Sequence, residues 1–514
     1  MNNMVKTTVF DRFPSQNSAF GAFIVILALL AVFRLIAIYF SNTELFFDES
    51  QYWAWSKVLD FGYFSKPPML AWSIRGVTEI CGINDFCIRA GSPLFYTVTS
   101  MFIFFAARSL YGTAVGFWAA LAFVTVPGVS FSAGRISTDV PLLAFWALAL
   151  WSLVEFQKTK KWSWSVLLGV AIGFGLLSKY AMAFFLLCFV VYLVIEPNAR
   201  WIVRSPQFWT AIVISGIIVS PNIIWNLQNG LVTFSHTADN ANWGAAPSGI
   251  TEILASLGKK TGKALEFFGA QFGVAGPVFF AALLIILWRF LRSSKTTGSL
   301  LTSEDRMLLA FSIPVILIIT IQAFLSRAHA NWAATAYPAA VILVVAIMMR
   351  ERAWTALRAS FAINIVVLIL LAAGTATAGL FPLPFGIAPF SRVLGWQEIA
   401  AKAEEKFKSN EFSAILTNNR EVSAQTVYFL RDSNIPIYAW KRSAVPGDYY
   451  QMVQPYNGQA SDKPMLLVSK YRVPSHVKRG FSTVEHVGSA QVPAGKSAVR
   501  KIYFFKVSGY KTGQ

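Results

Sequence analysis

Long apolar runs, each near the length needed to cross a hydrocarbon layer, set the first constraint on this chain. They fall at about 20–40, 91–110, 113–130, 139–156, 165–178, 180–196, 208–225, 268–290, 307–325, 332–349 and 359–380. A spanning helix takes about 20 mainly apolar residues. Inside a bilayer only helices and closed barrels satisfy every backbone polar group. The pattern therefore predicts a polytopic α-helical membrane protein of eleven spans. With 13% charged residues, the chain has about half the charged share of a soluble domain. No small-residue cleavage site follows the first run, which is expected to remain a membrane helix.

The basic residues orient these spans. With the N-terminus inside, alternate short connections carry Arg108, then Lys158, Lys160 and Lys161, then Arg200 and Arg204. Arg289, Arg292, Lys295 and Arg306 follow, and finally Arg350, Arg352 and Arg358. Short basic loops are the cytoplasmic signature. The loops 41–90 and 226–267 then lie outside, with everything after 381. The net charge of +19 is accounted for by such loops and by lipid headgroups, so nucleic-acid binding is not expected. Residues 1–381 thus form a membrane domain, and 382–514 a separate periplasmic one.

In that last segment the apolar runs shorten to strand length, as in "SAILT", "IPIYAW", "PMLLVSK" and "KIYFFKV". Between them "NNREVSAQTVYFLRDSN" opens on an Asn cap and has helix-spaced apolar residues. A soluble α/β domain is expected. It holds 18 Lys/Arg against 9 Asp/Glu, a balance that suits an anionic partner such as a phosphorylated glycolipid. A merely soluble basic surface fits as well.

Within the first outer loop, Asp48 and Glu49 sit among aromatics just past the first span. A short helix from near Ser50 would place Tyr52, Trp55 and Leu59 on one face, as an interfacial helix requires. Pro67 and Pro68 stop that segment and fix Lys66 before a second apolar, membrane-embedded stretch. Asp139, with Arg135 four residues before it, opens a later span at the same face. Lys179 interrupts an apolar run at an outer turn. Ionisable groups near hydrocarbon are functional candidates, although Asp139 also fits a helix cap and Lys179 a headgroup-directed lysine. His236 and His329, each followed closely by an Asn-Trp pair, fit binding or simple solvation. Cys81 and Cys87 fit a bridge or two thiols. No P-loop, dinucleotide fingerprint, His-Glu-x-x-His run or Gly-x-Ser-x-Gly elbow occurs.

"FFDESQYWAWSKVLDFGYFSKPPMLAW", with "GRISTD", "LLSKY" and more weakly "HANW", resembles the polyprenyl-phosphate-dependent membrane glycosyltransferases. These include protein O-mannosyltransferases and lipid A aminoarabinose transferases. The Lys-Pro-Pro form is most similar to the bacterial branch that modifies lipopolysaccharide, including rhizobial galacturonosyltransferases. The resemblance implies a fold of eleven to thirteen membrane helices (the GT-C type) in the bacterial inner membrane. It also implies a sugar donor on an isoprenoid phosphate and a lipid A, core or protein acceptor. Asp48 matches the catalytic acid, Glu49 the second acid and Asp139 a later acid. Lys66 and Lys179 match substrate-binding lysines, with Arg135, Tyr52 and His329 as further candidate contacts. A divalent metal held by Asp48 and Glu49 is possible on this reading. Ser65 departs from the aminoarabinose transferases, which have Glu there, and this suits a neutral or acidic sugar. Direct attack on the anomeric carbon would invert its configuration. A transporter is the rival class, and it should show paired repeats and mid-membrane charges.

Overall fold

The computed structural model describes residues 16–241, 250–293, 301–382, 384–409, 412–441, 443, 445–458 and 463–511. Residues 242–249 of the expected outer loop 226–267 lie outside that set. Contacts divide the chain into two units. One comprises residues 1–36, 66–70 and 90–371; the other comprises 37–65, 71–89 and 372–514.

The first unit is helical. Among the described residues of the chain, seven helices are long and apolar enough to span: Ser18–Tyr39, Asp85–Tyr111, Asp139–Thr159, Pro206–Gln228, Ser303–Leu325, Ala330–Arg350 and Trp354–Ala376. The count reaches nine if two pairs bent by 117°, Tyr180–Ile195 with Pro197–Arg204 and Leu257–Ala275 with Pro277–Arg292, each cross once. Two of the expected eleven, Thr113–Thr125 and Trp162–Ser178, are shorter apolar helices. Both end short of the roughly 20 residues of a usual span. The division of 165–196 falls where the sequence suggested, with Lys179 in extended backbone between Ser178 and Tyr180.

Close packing in this unit uses small residues, as expected where lipid removes the hydrophobic drive between helices. Gly169 and Gly173 lie one turn apart on the helix Trp162–Ser178, facing Pro206–Gln228. A Cβ on Gly169 would come within 2.5 Å of the Ala211 carbonyl oxygen, and one on Gly173 within 2.7 Å of Ile218 Cβ. Buried charge is matched by specific acceptors. Arg34, only 4% exposed within the first span, donates to the carbonyl of Val124, one of the orphan acceptors at a helix C-terminus. Asp305, buried at a helix start, accepts from Arg350 at 2.7 and 3.1 Å and from Tyr111 Oη at 2.7 Å.

The second unit is built on a five-stranded sheet. Its strands are β1 (Ile415–Thr417), β2 (Ile437–Ala439), β3 (Met465–Ser469), β4 (Phe481–Pro493) and β5 (Val499–Tyr510), in the order β2-β1-β3-β5-β4. β1 pairs parallel with β2 and β3, while β5 pairs antiparallel with β3 and β4. Side chains alternate along a strand, and here both faces are covered. Leu466, Val468, Ile502 and Phe504 pack under Trp396, Ile399 and Ala403 of the helix Trp396–Lys408. Met465, Leu467, Phe505 and Val507 pack with Trp440 and Phe481 on the other face. The expected helix is present as Arg420–Phe429, with Asn419 Oδ1 accepting from the N–H groups of Glu421 and Val422. β4 and the helix Trp396–Lys408 were not anticipated, because neither has a continuous apolar run.

The first-loop helix runs Phe47–Lys57 rather than starting near Ser50, and Leu59 lies beyond its end. Tyr52, Trp53 and Trp55 are buried, so the expected lipid-facing stripe is instead interior packing of the second unit. The stretch after Lys66 is the helix Met69–Cys81, which is not among the spanning helices. Cys81 and Cys87 form a disulfide, with their Cα atoms 5.6 Å apart.

Gly169→Val should force the helices Trp162–Ser178 and Pro206–Gln228 apart. A loss of about 1–3 kcal/mol is expected, as for overpacked cores, read as a lower thermal midpoint of the detergent-solubilised protein.

Candidate functional site

Asp48 and Glu49 are consecutive, and their surroundings differ sharply. Both stand in the first turn of the helix Phe47–Lys57, where acidic side chains complement the helix dipole. Glu49 is 2% exposed. Its Oε1 accepts from Arg89 Nε at 3.0 Å and its Oε2 from Arg89 Nη2 at 2.9 Å. Oε2 also takes the Phe46 backbone N–H at 2.9 Å, the return half of a capping box. Arg89 spends its other N–H groups on the Thr43 carbonyl, Thr43 Oγ1 and the Glu44 carbonyl. Glu49 is therefore fully engaged within the protein.

Asp48 is about one-third exposed, and its Oδ1 pairs with Arg420. Arg420 stands at the first position of the helix Arg420–Phe429, and its Nε donates to Gln51 Oε1 at 2.7 Å. The Arg420 guanidinium also lies 5.0 Å from the Phe47 ring centroid. The same two helices meet again where Ser50 Oγ donates to Gln425 Oε1 at 3.0 Å, and Gln425 Nε2 to the Leu45 carbonyl at 2.8 Å. Trp53 packs edge-on against Tyr428, 5.0 Å between centroids. The Tyr428 hydroxyl donates to Asp85 Oδ1 at 2.5 Å, and burial raises its pKa, so it remains a donor. Glu44 receives the backbone N–H groups of Trp396 and Gln397 at 2.7 and 3.1 Å. Burial nevertheless raises its pKa above the ordinary carboxylate value.

The first unit holds a second cluster. Asp139, 6% exposed, begins its helix, and its Oδ1 accepts from Lys179 Nζ at 2.6 Å. Asn331 Nδ2 donates to Oδ2, also at 2.6 Å. Lys179 can reach Asp139 because it occupies the break between two helices. Next to it, the Tyr180 hydroxyl donates to Asn222 Oδ1 at 2.8 Å. The cap position of the helix begun by Asp139 falls to Thr138, and the Asp139 carboxylate is turned to Lys179 and Asn331. Arg135 lies over Phe131, 4.8 Å from the ring centroid. His329 is exposed, with its ring 5.6 Å from that of Trp332. Lys66 is half-buried after a buried Ser65. Tyr52 is buried against Trp55, 5.0 Å between centroids. His236 lies on the helix Val232–Ala241.

The acidic pair does not fit the expected metal role. Both Glu49 oxygens are already used, and no group of three His, Cys, Asp or Glu side chains suited to a metal occurs among the described residues. Arg89, Arg420 and Asn331 were missed in the sequence. Arg420 lies 372 residues from Asp48, and nothing in a single chain marks so distant a pairing.

Glu49→Gln would leave Arg89 buried without its counter-charge. Breaking such a pair costs about 3–5 kcal/mol, so a large drop in thermal midpoint is expected. Asp48→Asn, at a partly exposed position, should leave the midpoint nearly unchanged. Equal destabilisation by both would refute this division between the two acids.

Comparison with known proteins agrees with this architecture. The family model for dolichyl-phosphate-mannose-protein mannosyltransferase matches residues 65–225. The lipid A galacturonosyltransferase RgtD of Rhizobium johnstonii is 35% identical over 422 residues, which is 82% of this chain and 85% of that protein. The undecaprenyl phosphate-alpha-4-amino-4-deoxy-L-arabinose arabinosyl transferase 2 of Proteus mirabilis is 30% identical over 178 residues, 30% of this chain and 32% of that one. In fold, the chain is similar to the crystal structure of ArnT from Cupriavidus metallidurans in the apo state. The TM-score is 0.64 at 15% identity, over 95% of this chain and 98% of that one. With 35% identity over more than four-fifths of both proteins, the chain belongs to the polyprenyl-phosphate-dependent membrane glycosyltransferases.

Proposed function

We propose that this enzyme transfers a hexuronic acid from a polyprenyl-phosphate carrier to lipid A or the lipopolysaccharide core at the periplasmic face of a bacterial inner membrane. The galacturonosyltransferase relative supports the sugar and acceptor class. Ser65, standing where the aminoarabinose transferases carry an acid, agrees with an anionic rather than a cationic sugar. The orientation rests on the basic short loops. The Cys81–Cys87 disulfide also fits, since such bonds persist in the periplasm.

The observation that carries the catalytic reading is the contrast between the two acids: Glu49 is closed in by Arg89, whereas Asp48 is reachable. Asp48 acts as the base for an acceptor hydroxyl, aimed by Arg420 and Gln51, and Glu49 is a positioning residue for the helix that presents it. The departing carrier phosphate needs cations more than a proton, because preorganised positive charge stabilises the growing negative charge. Lys179 supplies it, with its ammonium group placed by Asp139 and Asn331. Lys66 and Arg135 add positive charge, and His329 contacts substrate. Tyr52 supports the helix that carries Asp48, through its packing on Trp55. Oxocarbenium character at the anomeric carbon is stabilised by nearby carboxylate, and direct attack inverts the configuration.

Asp48→Asn should lower sugar transfer about 100- to 10,000-fold, the usual worth of a general base. The assay follows transfer from a polyprenyl-phosphate-linked uronic acid to membrane glycolipid by mass spectrometry. Full activity in the folded variant would refute the assignment. Supplied with a cationic aminosugar donor instead, the wild-type enzyme should show little transfer, and efficient use of that donor would overturn the uronic acid reading.

A further inference from the structure

An open pocket of about 380 Å³ in the second unit has Arg392, Glu421, Lys470 and Arg500 in its lining. Its volume is within the range of ligand sites, about 300–1,000 Å³. Three cations share it with one carboxylate. Lys470 pairs with Glu421, and Arg500 Nη1 stands 3.6 Å from the same carboxylate, so positive charge remains in excess.

Two of these cations lie over aromatic rings. The Arg500 guanidinium lies 3.9 Å from the Trp396 ring centroid, a favourable cation–π distance. Its Nε donates to the Leu394 carbonyl at 3.2 Å and its Nη2 to the Ser391 carbonyl at 2.5 Å. Arg392 lies 4.7 Å from the Phe46 ring centroid and 5.9 Å from that of Phe47. Burial lowers the pKa of Arg500, and the neighbouring charge of Arg392 lowers it further, against the opposing pull of Glu421 and Glu44. An anion would relieve that repulsion.

Two lining residues, Glu421 and Arg392, adjoin groups around Asp48. Arg420, which holds Asp48, and Glu421, which lines the pocket, are consecutive, so their Cα atoms are about 3.8 Å apart. Arg392, also in the lining, lies over the two phenylalanines that precede Asp48.

We propose that this pocket binds a phosphate monoester on the headgroup of the glycolipid acceptor, docking it beside Asp48. Several separated cations suit a dianion with several acceptor oxygens. The inference rests on the transferase reading above, yet its binding can be measured without turnover.

The full-length protein in dodecylmaltoside would be titrated with micelles of diphosphoryl lipid A, dephosphorylated lipid A, or inorganic phosphate alone. The double variant Arg392→Gln, Lys470→Gln is compared with wild type and with Lys402→Gln, which removes a charge on a helix outside the pocket. Losing charge-assisted contacts should weaken diphosphoryl lipid A binding about 10-fold or more. Dephosphorylated lipid A should bind wild type as weakly as the double variant binds diphosphoryl lipid A, and Lys402→Gln should match wild type. In the transfer assay the double variant should raise the acceptor KM with kcat nearly kept, the sign of lost ground-state binding. Unchanged lipid A binding by the double variant would overturn the pocket assignment. So would tight binding of inorganic phosphate with lipid A binding indifferent to the substitutions. An inactive wild type would instead overturn the transferase reading, while the titration would still decide the pocket.

Discussion

The ion pair between Glu49 and Arg89 anchors the segment that carries the acidic pair. Both side chains are about 3% exposed, and taking two charges out of water is costly unless every donor and lone pair is used. Here the guanidinium meets the carboxylate in two bonds and gives its remaining N–H groups to Thr43 and Glu44. The desolvation cost is offset by satisfied geometry. In return the turn 43–46 and the helix Phe47–Lys57 are locked to residue 89, and Asp48 is presented from a rigid first turn.

Asp48 itself is governed from far along the chain. Arg420 and Gln425, on a helix packed against the sheet, bond to Asp48, Gln51, Ser50 and Leu45. Within this unit the sheet's core residues Leu466, Val468 and Ile502 pack in one cluster with Val422 of that helix and so set the place of the helix that pairs with Asp48. In the membrane unit, the close approach at Gly169 and Gly173 precedes the break where Lys179 meets Asp139. Each unit therefore uses tight packing to place a charged group whose partner comes from a distant segment.

Much of the architecture was legible because periodicity is local. Apolar runs near 20 residues announced the membrane helices, and the break at Lys179 was visible as a lone cation in an apolar stretch. Strand-length runs located β1, β2, β3 and β5, and an Asn cap located the helix Arg420–Phe429. β4 was hidden: many of its residues face solvent, so it shows no apolar run. Thr113–Thr125 and Trp162–Ser178 were read as spans because composition does not report where a helix ends. The aromatic stripe was read as lipid-facing because Tyr and Trp suit a membrane interface and a buried core equally well.

By itself the sequence determined the fold class, the family resemblance and which acids and lysines deserved weight, since these depend on residue type and short spacing. Only the tertiary structure decided how the two acids of the pair are partnered. Two adjacent carboxylates are chemically alike until their partners are known. Arg89 and Arg420 lie 40 and 372 residues away, and it is their arrival that buries one acid in a closed ion pair and leaves its neighbour within reach of solvent.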